Sequence, residues 1–477
     1  MPSLPRRLAL TSLLSAPFGY AQAPSGSWNP RQFGAKGDDQ TNDTAAIQQA
    51  IDAAHAQGGG TVHLTAGVYR CGTLLWKSRV SLWLDNGATL AMSPDDQDFL
   101  PRETLPFASG ADAATSTFRH ALLWAEDAQN LALYGQGVID CRRTRVGGPK
   151  PISLRRCRQV SLRGVSIRNA PGYNISLLGC DYVDIDGVSI FDGYQDGITP
   201  DCCRFLRVAN CFIESVNDAF VLKASGALGE RRHTEHVTVS NCVLRTASIH
   251  LKCGTESCGD FRNISFTGCT LIGGMGMRHG NPGIALYTVD GGALETVAIS
   301  NITMQDVGVP LALLRGRRDA CKTGAAPGVL RDISVANIVA AGARLPSVVA
   351  GLPDAPVEDV RLSGLRLRMG SAAEGPANLD DVPEKPEHYP DPTMFGPLPA
   401  AALFVRHTAR LTLDGLSLTP AAGDRRPALV VDDAQGLQLL DGRFPSASLR
   451  DAPDAILRHT KPDAIRVLRA SQRGKFR

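Results

Sequence analysis

The sequence predicts an all-β fold: a single parallel β-helix, in which the chain winds as stacked coils. Three observations predict it: a corner motif repeated ten times, a glycine-rich and aromatic-poor composition, and one isolated helical pattern near the N-terminus. Ten copies of one motif make chance a poor explanation, and a repeat of this period marks a solenoid.

The motif is an apolar-x-apolar triplet, one residue, then Gly or Asn, then a second short apolar run. It reads VSLRGVSI at Gly164, VDIDGVSI at Gly187, LRVANCFI at Asn210, VTVSNCVL at Asn241 and ISFTGCTL at Gly268. It continues at Asn301, Asn337, Gly364 and Gly415, with Gly135 in LALYGQGV as an earlier member. Successive corners lie 29, 23, 23, 31, 27, 33, 36, 27 and 51 residues apart. Alternation with period two marks a strand with one buried face. Restriction to Gly or Asn marks a residue held at positive φ. Strand, left-handed corner and strand together make one coil, and coils stack at about 4.8 Å.

The residue after each corner is apolar or Cys: Val165, Val188, Cys211, Cys242, Cys269, Ile302, Ile338. Cys211, Cys242 and Cys269 therefore read as a ladder of small interior side chains. Of the other cysteines, Cys253 and Cys258 are near enough in sequence to pair. Cys202 and Cys203 are adjacent and lack metal-type spacing, so no metal or other cofactor is expected.

The chain has 48 glycines in 477 residues and only 6% aromatics, which suits many short strands joined by turns. In NDTAAIQQAIDAAHAQGGG, Ile47, Ala50, Ile51 and Ala54 fall at helical spacing, and the pattern stops at Gly58. That helix would cap the open end of the stack. The strand-like pieces GTVHLTAGVYRCG and VSLWLDNGATL follow it. The wide gap before Gly415 holds a proline-rich segment, Gly375 to Pro399, read as a long loop that reaches a binding site. One domain over residues 24–477 results, with a cap at about 30–70, an insertion at about 370–400 and a short basic tail.

Residues 1–23 read as an export signal. Arg6 and Arg7 precede the apolar run Leu8 to Phe18, and Ala21-Gln22-Ala23 supplies a small-x-small cleavage pattern. The expected location is therefore periplasmic or extracellular. Later segments are too short or too polar to span a bilayer, so no membrane association is expected. A net charge of +3 and the lack of basic runs interleaved with aromatics exclude a nucleic-acid partner. A monomer is expected.

Counting from the corners places Asp196, Asp218 and His250 nine, eight and nine residues on, at nearly one height on three consecutive coils. Lys223 and Lys252 lie just beyond on two of these coils. Glu256 follows in HLKCGTES, and Arg278 and His279 come from the next coil. The expectation is a groove with carboxylates for chemistry and cations for an anionic substrate.

FGAKGDDQTNDTAAIQQAIDAA with GGGTVHLTAGVY resembles the N-terminal block of pectin-degrading β-helix enzymes. YQDGITPDCCRFLRVANCFIESVNDAFVLKASG is similar to the catalytic core of glycoside hydrolase family 28, the polygalacturonases and rhamnogalacturonan hydrolases. The likeness runs from about Phe33 to at least Arg315. It implies a right-handed helix and hydrolysis of pectic or related acidic polysaccharide by carboxylate acid/base chemistry, with inversion.

The family pattern is Asn-Thr-Asp-Gly on one coil and Gly-Asp-Asp on the next, then Gly-His-Gly and Arg-x-Lys. Here Tyr194-Gln195-Asp196-Gly197 keeps the acid, while Val216-Asn217-Asp218 has Asn217 where the resemblance puts the general acid. His250 stands near the histidine position without its glycines. GIALYTVDGG replaces Arg-x-Lys and carries Asp290. Asn217 has no proton to give. Three outcomes stay open: Asp218 as acid with Asp196 as base, Glu256 or Asp290 as the missing acid, or glycan binding without efficient cleavage. In this reading His250, Lys223, Lys252, Asn217, Arg278 and Asp290 contact substrate. If the groove hydrolyses its substrate, Asp218→Asn is expected to remove most turnover at nearly unchanged stability. The alternatives are a β-eliminating lyase, with Asp196, Asp201 and Asp218 as Ca²⁺ ligands and Lys223 or Lys252 as base, and a glycan-binding β-helix.

Overall fold

The computed structural model describes residues 26–143, 146–275, 281–322, 324, 326–375, 378–444 and 455–466. The export signal, Arg278, His279 and the end of the basic tail lie outside the described residues.

All ten predicted corners hold a left-handed residue, with φ from +54° at Asn241 to +115° at Gly135. Every strand-to-strand ladder between coils is parallel. One inward column runs in register through Val160, Val183, Leu206, Val237, Ile264, Val297, Ile333, Val360 and Leu411. These side chains are at most 3% exposed and belong to one core along the helix axis. Three strand stacks wall that core. The corner residues lie between two of them, and the third stack carries the site.

The cap is the helix Thr44–Ala56, which buries Ile47, Ala50, Ile51 and Ala54 completely, as the spacing predicts. Asp43 precedes it, and its carboxylate accepts from the backbone N–H groups of Lys36 and Gly37 rather than capping the helix. The predicted strands follow as Gly60–Leu64, Gly67–Cys71, Val80–Leu84 and Ala88–Met92.

Cys211, Cys242 and Cys269 are buried free thiols on consecutive coils, as the ladder reading expects. Cys157, Cys180 and Cys203, spaced by 23 residues, form a second buried row. Cys253 does not pair with Cys258. It is buried in the core, while Cys258 bonds Cys321 across 63 residues of sequence. The reason is alternation: Cys253 points inward on its strand, and Cys258 lies beyond the strand end.

The third stack runs through Ile175–Leu178, Ile198–Asp201, Phe220–Ala224, Leu251–Ser257 and Pro282–Thr288. These strands are buried on both faces. Their outer face is covered by two segments. One contains Phe118 and Ala111. The other is the proline-rich insertion, whose Val382, Phe395 and Leu398 pack with Tyr287 and Phe404. A sheet covered on both sides loses the alternation of a half-exposed strand. The opening left between these covers is the groove.

Candidate active site

A groove of about 900 Å³ opens over the third stack, lined by Asp196, Asn217, Asp218, Lys223, Lys252 and Glu256 among others. Asp196 and Asp218 each stand two residues before a strand of this stack. Because Ile198 pairs with Phe220, the two carboxylates share one column on adjacent coils. Phe220 in turn pairs with Leu251, which puts Ile249, not His250, above Asp218. His250 falls in the column of Ala219 and Gly197 and turns inward. A slip of one residue reverses the face that a side chain occupies. His250 is fully buried, its Nε2 lies 2.9 Å from the Ile272 carbonyl, and it does not line the groove.

The two carboxylates have opposite surroundings. Asp218 Oδ2 accepts from Lys252 Nζ at 2.9 Å, and Oδ1 accepts from Ser248 Oγ at 2.7 Å and the Ile249 N–H at 3.2 Å. Burial alone would raise its pKa, but the Lys252 charge and these donors outweigh burial and hold it below the usual carboxylate range. Asp196 is 1% exposed. Oδ1 accepts from the Asn217 amide at 2.7 Å, and Thr199 Oγ1 lies 3.3 Å from Oδ2. No cation bonds it among the described residues. Burial first, and the neighbouring Asp218 charge second, push its pKa up to about 8. Asp196 is thus a neutral acid at pH 7 beside an ionised Asp218.

Lys223 and Lys252 are 3% and 4% exposed, so neither is a solvated edge residue. Lys223 Nζ donates to Asp112 at 2.7 Å and Tyr173 Oη at 3.1 Å, and stands 3.6 Å from Glu256. Burial alone would lower the lysine pKa values. The facing carboxylates, Glu256 for Lys223 and Asp218 for Lys252, outweigh it, so both remain charged. Each lysine therefore neutralises the protein's own acids, and among the described lining residues neither is left as a spare cation.

Asp290 does not reach the groove. Its carboxylate is fully buried, accepting from Arg318 Nη2 at 2.6 Å and from the Ser257 and Ala320 N–H groups. It fastens the loop that carries Cys321 and is not available as an acid. Asp201 is likewise buried against Ser225 and Cys202, outside the groove and away from any shared ligand set with Asp196 and Asp218. Arg278 is outside the described residues.

Sequence reasoning missed Asp112, Tyr173 and Tyr389. Tyr173 is one coil below Asp196 in the same column and donates to Asp112 at 2.6 Å. Asp112 caps the short helix Ala113–Ser116. Tyr389, from the insertion, is 54% exposed in the groove, and its hydroxyl lies 3.2 Å from Lys252 Nζ and 3.0 Å from Thr255 Oγ1. The proline-rich loop was a signal for Tyr389. No repeat signal marks Asp112.

Residues 27–273 match the family described as rhamnogalacturonase A/epimerase, pectate lyase-like. The chain belongs to this family. Among individual relatives, a Vitis vinifera protein described as "Probable polygalacturonase" is 21% identical over 371 residues, 72% of this chain and 74% of that protein. An Azotobacter vinelandii mannuronan C5-epimerase is 67% identical, but over only 43 residues, 9% of this chain and 3% of the epimerase. Among solved structures, the exopolygalacturonase of Thermotoga maritima superposes with a TM-score of 0.63 at 22% identity, covering 73% of this chain and 88% of that one. This family member thus shares the right-handed parallel β-helix of the polygalacturonases.

Proposed function

We propose that the chain is a glycoside hydrolase acting on a pectic or related acidic polysaccharide, with Asp196 as general acid and Asp218 as general base. The observation that carries this reading is one groove wall bearing two adjacent carboxyl groups, one paired with Lys252 and the other held, among the described residues, only by the neutral donors Asn217 and Thr199. Such a pair divides the acid and base roles by environment. It exchanges the roles in one of the three options the sequence left open, Asp218 as acid with Asp196 as base, because Lys252 keeps Asp218 charged.

In the proposed reaction Asp196 gives its proton to the glycosidic oxygen, and the bond to the leaving sugar breaks. Water attacks the anomeric carbon from the opposite face and loses its proton to Asp218. Single displacement inverts the anomer. Asn217 supplies no proton. It holds Asp196 Oδ1 and leaves Oδ2 to carry the acidic hydrogen.

The charge balance of the described groove bears on the substrate. With both lysines already paired, a rhamnogalacturonan-type chain, where neutral rhamnose alternates with galacturonate, suits the site better than an all-uronate chain. A β-eliminating lyase needs a free base, and Lys223 and Lys252 are both held as cations. We further propose that residues 1–23 direct export, which would bring the enzyme to polysaccharide outside the cell.

The test is to incubate purified protein with rhamnogalacturonan and homogalacturonan. Reducing ends, ultraviolet absorbance of unsaturated product and the product anomer by proton NMR are then read together. New reducing ends of inverted anomer, with no ultraviolet product, are expected. Unsaturated product, or binding with no release, would overturn the proposal.

A further inference from the structure

A second cleft, of about 830 Å³, lies on another wall of the solenoid and shares no lining residue with the groove. It is built by register. The outward residues His63, Trp83, Tyr134, Arg163 and Asp186 pair in one row across five coils. From the next coil on, the row continues with the small residues Ala209, Ser240, Thr267 and Ser300. Within this row, large side chains are thus confined to the N-terminal coils.

Beside the row run the corners Gly135, Gly164 and Gly187, which form the cleft floor. Gly135 and Gly164 are forced by packing. A Cβ on Gly135 would stand 2.0 Å from the Leu84 carbonyl oxygen, and one on Gly164 would stand 2.7 Å from that of Gly135. Gly187 is not forced. A Cβ there meets nothing within 4 Å, and its φ of +63° is close to the +58° at which the next corner carries Asn210. Glycine at 187 keeps open a space that the Asn210 amide, bonded to Asp186 at 2.7 Å, bounds one coil later.

Trp83 is 40% exposed in this cleft, and its indole is fixed in place. Nε1 donates to Asp85 at 2.7 Å, and the ring stands edge-on to Tyr134 with centroids 4.7 Å apart. The amides of Asn86 and Gln136 line the cleft and make no side-chain hydrogen bond among the described residues. Its one cation, Arg163, is ion-paired with Asp184. The other exposed aromatic row behaves differently. Tyr182, Phe205 and His236 stack nearly parallel, so their faces are consumed by one another.

A held indole presents apolar π surface to the polarised C–H groups of a sugar ring, and amides pair with its hydroxyls. We propose that this cleft is a second carbohydrate site, which takes a neutral sugar unit against Trp83. Asp85 and Asp186, with no spare cation, disfavour a uronate there. The site stands on geometry separate from the groove, so it does not depend on the hydrolase reading.

The experiment is tryptophan fluorescence. Trp76 and Trp124 are buried and Trp28 is partly buried, which makes Trp83 the main reporter. The full chain is titrated with neutral galacto- and arabino-oligosaccharides and, separately, with trigalacturonate. Saturable change with a neutral probe is expected, with affinity for trigalacturonate roughly tenfold or more weaker. Trp83→Ala should abolish the signal. Gly187→Asn should abolish binding while Trp83 remains as reporter, and Asp218→Asn should leave it intact. No saturable change with either neutral probe, an equal response to trigalacturonate, or unchanged binding in Gly187→Asn would overturn the proposal.

Discussion

The Asn217 side-chain amide donates to Asp196 Oδ1 across 2.7 Å, so Asn217 supports the neighbouring carboxyl group. Its removal should act on position and on proton affinity together. The hydrogen bond favours the ionised form of Asp196, and losing it in Asn217→Ala should raise the Asp196 pKa further. The alkaline limb of kcat/KM should move up while kcat falls roughly tenfold to a hundredfold from misplacement of the acid. Asn217→Asp puts a third carboxylate beside two others and should also shift the alkaline limb upward. A higher kcat in Asn217→Asp with an unmoved alkaline limb would instead show that residue 217 is the acid's place.

The unsubstituted protein should give a bell-shaped kcat/KM profile against pH. Under the proposed roles activity requires Asp218 ionised, so the acid limb should lie below the ordinary carboxylate range. The proposed role of Asp196 also requires it protonated, so the alkaline limb should fall near the value of about 8 that burial and Asp218 impose. A profile flat through pH 9 would remove Asp196 from the acid role.

The same groups set the pH dependence of stability. Asp196 has a folded pKa raised above its unfolded value near 3.8, so the native state binds the extra proton and stability falls as pH rises from about 4 to 8. Asp218 has the opposite sign: its contribution is present above the unfolded value and is lost as pH falls. Thermal unfolding of Asp196→Asn should therefore show a flatter pH dependence between 4 and 8 than the parent chain. An unchanged slope would mean that Asp196 is ionised in the folded state.

Asp218→Asn should not be silent in stability, contrary to what the sequence alone leads one to expect. Lys252 is 4% exposed, and the substitution leaves its charge without an anionic partner. Breaking a buried pair from one side costs about 3–5 kcal/mol. Combining Asp218→Asn with Lys252→Met should recover much of the lost melting temperature without restoring turnover. Recovery of activity in the double variant would show that Asp218 serves only to balance the lysine.

The corners were legible because sterics limit them to Gly and Asn, and period-two alternation made the inner columns legible. A second set of left-handed residues was not. Tyr182, Phe205, Thr296 and Arg410 hold φ between +57° and +59°, yet their types do not advertise it. Stacking of successive coils imposes the conformation there, against local preference. The Asp196–Asp218 column was visible by counting from corners. His250 was misplaced by one residue, because the distance from corner to strand differs by one between coils. Tyr173 and Asp112 approach the groove through pairing and a loop, which leave no periodic mark.

The Cys258–Cys321 bond ties the end of the strand that carries Lys252 and Glu256 to the loop that carries Arg318. Arg318 bonds Asp290 and lies 6.0 Å from the Tyr389 ring centroid, so the cross-link bears on the groove wall as well as on the chain. Closing 63 residues should stabilise the fold by about 4 kcal/mol through the unfolded ensemble. The double variant Cys258→Ser, Cys321→Ser should melt several degrees lower and show a raised KM, with kcat less affected because the Asp196–Asp218 column is untouched. The ten other cysteines are buried and free, so a thiol reagent should find none reactive in the native protein and ten after unfolding without reductant. Twelve thiols in that assay would show the bond absent, and the KM prediction would fall with it.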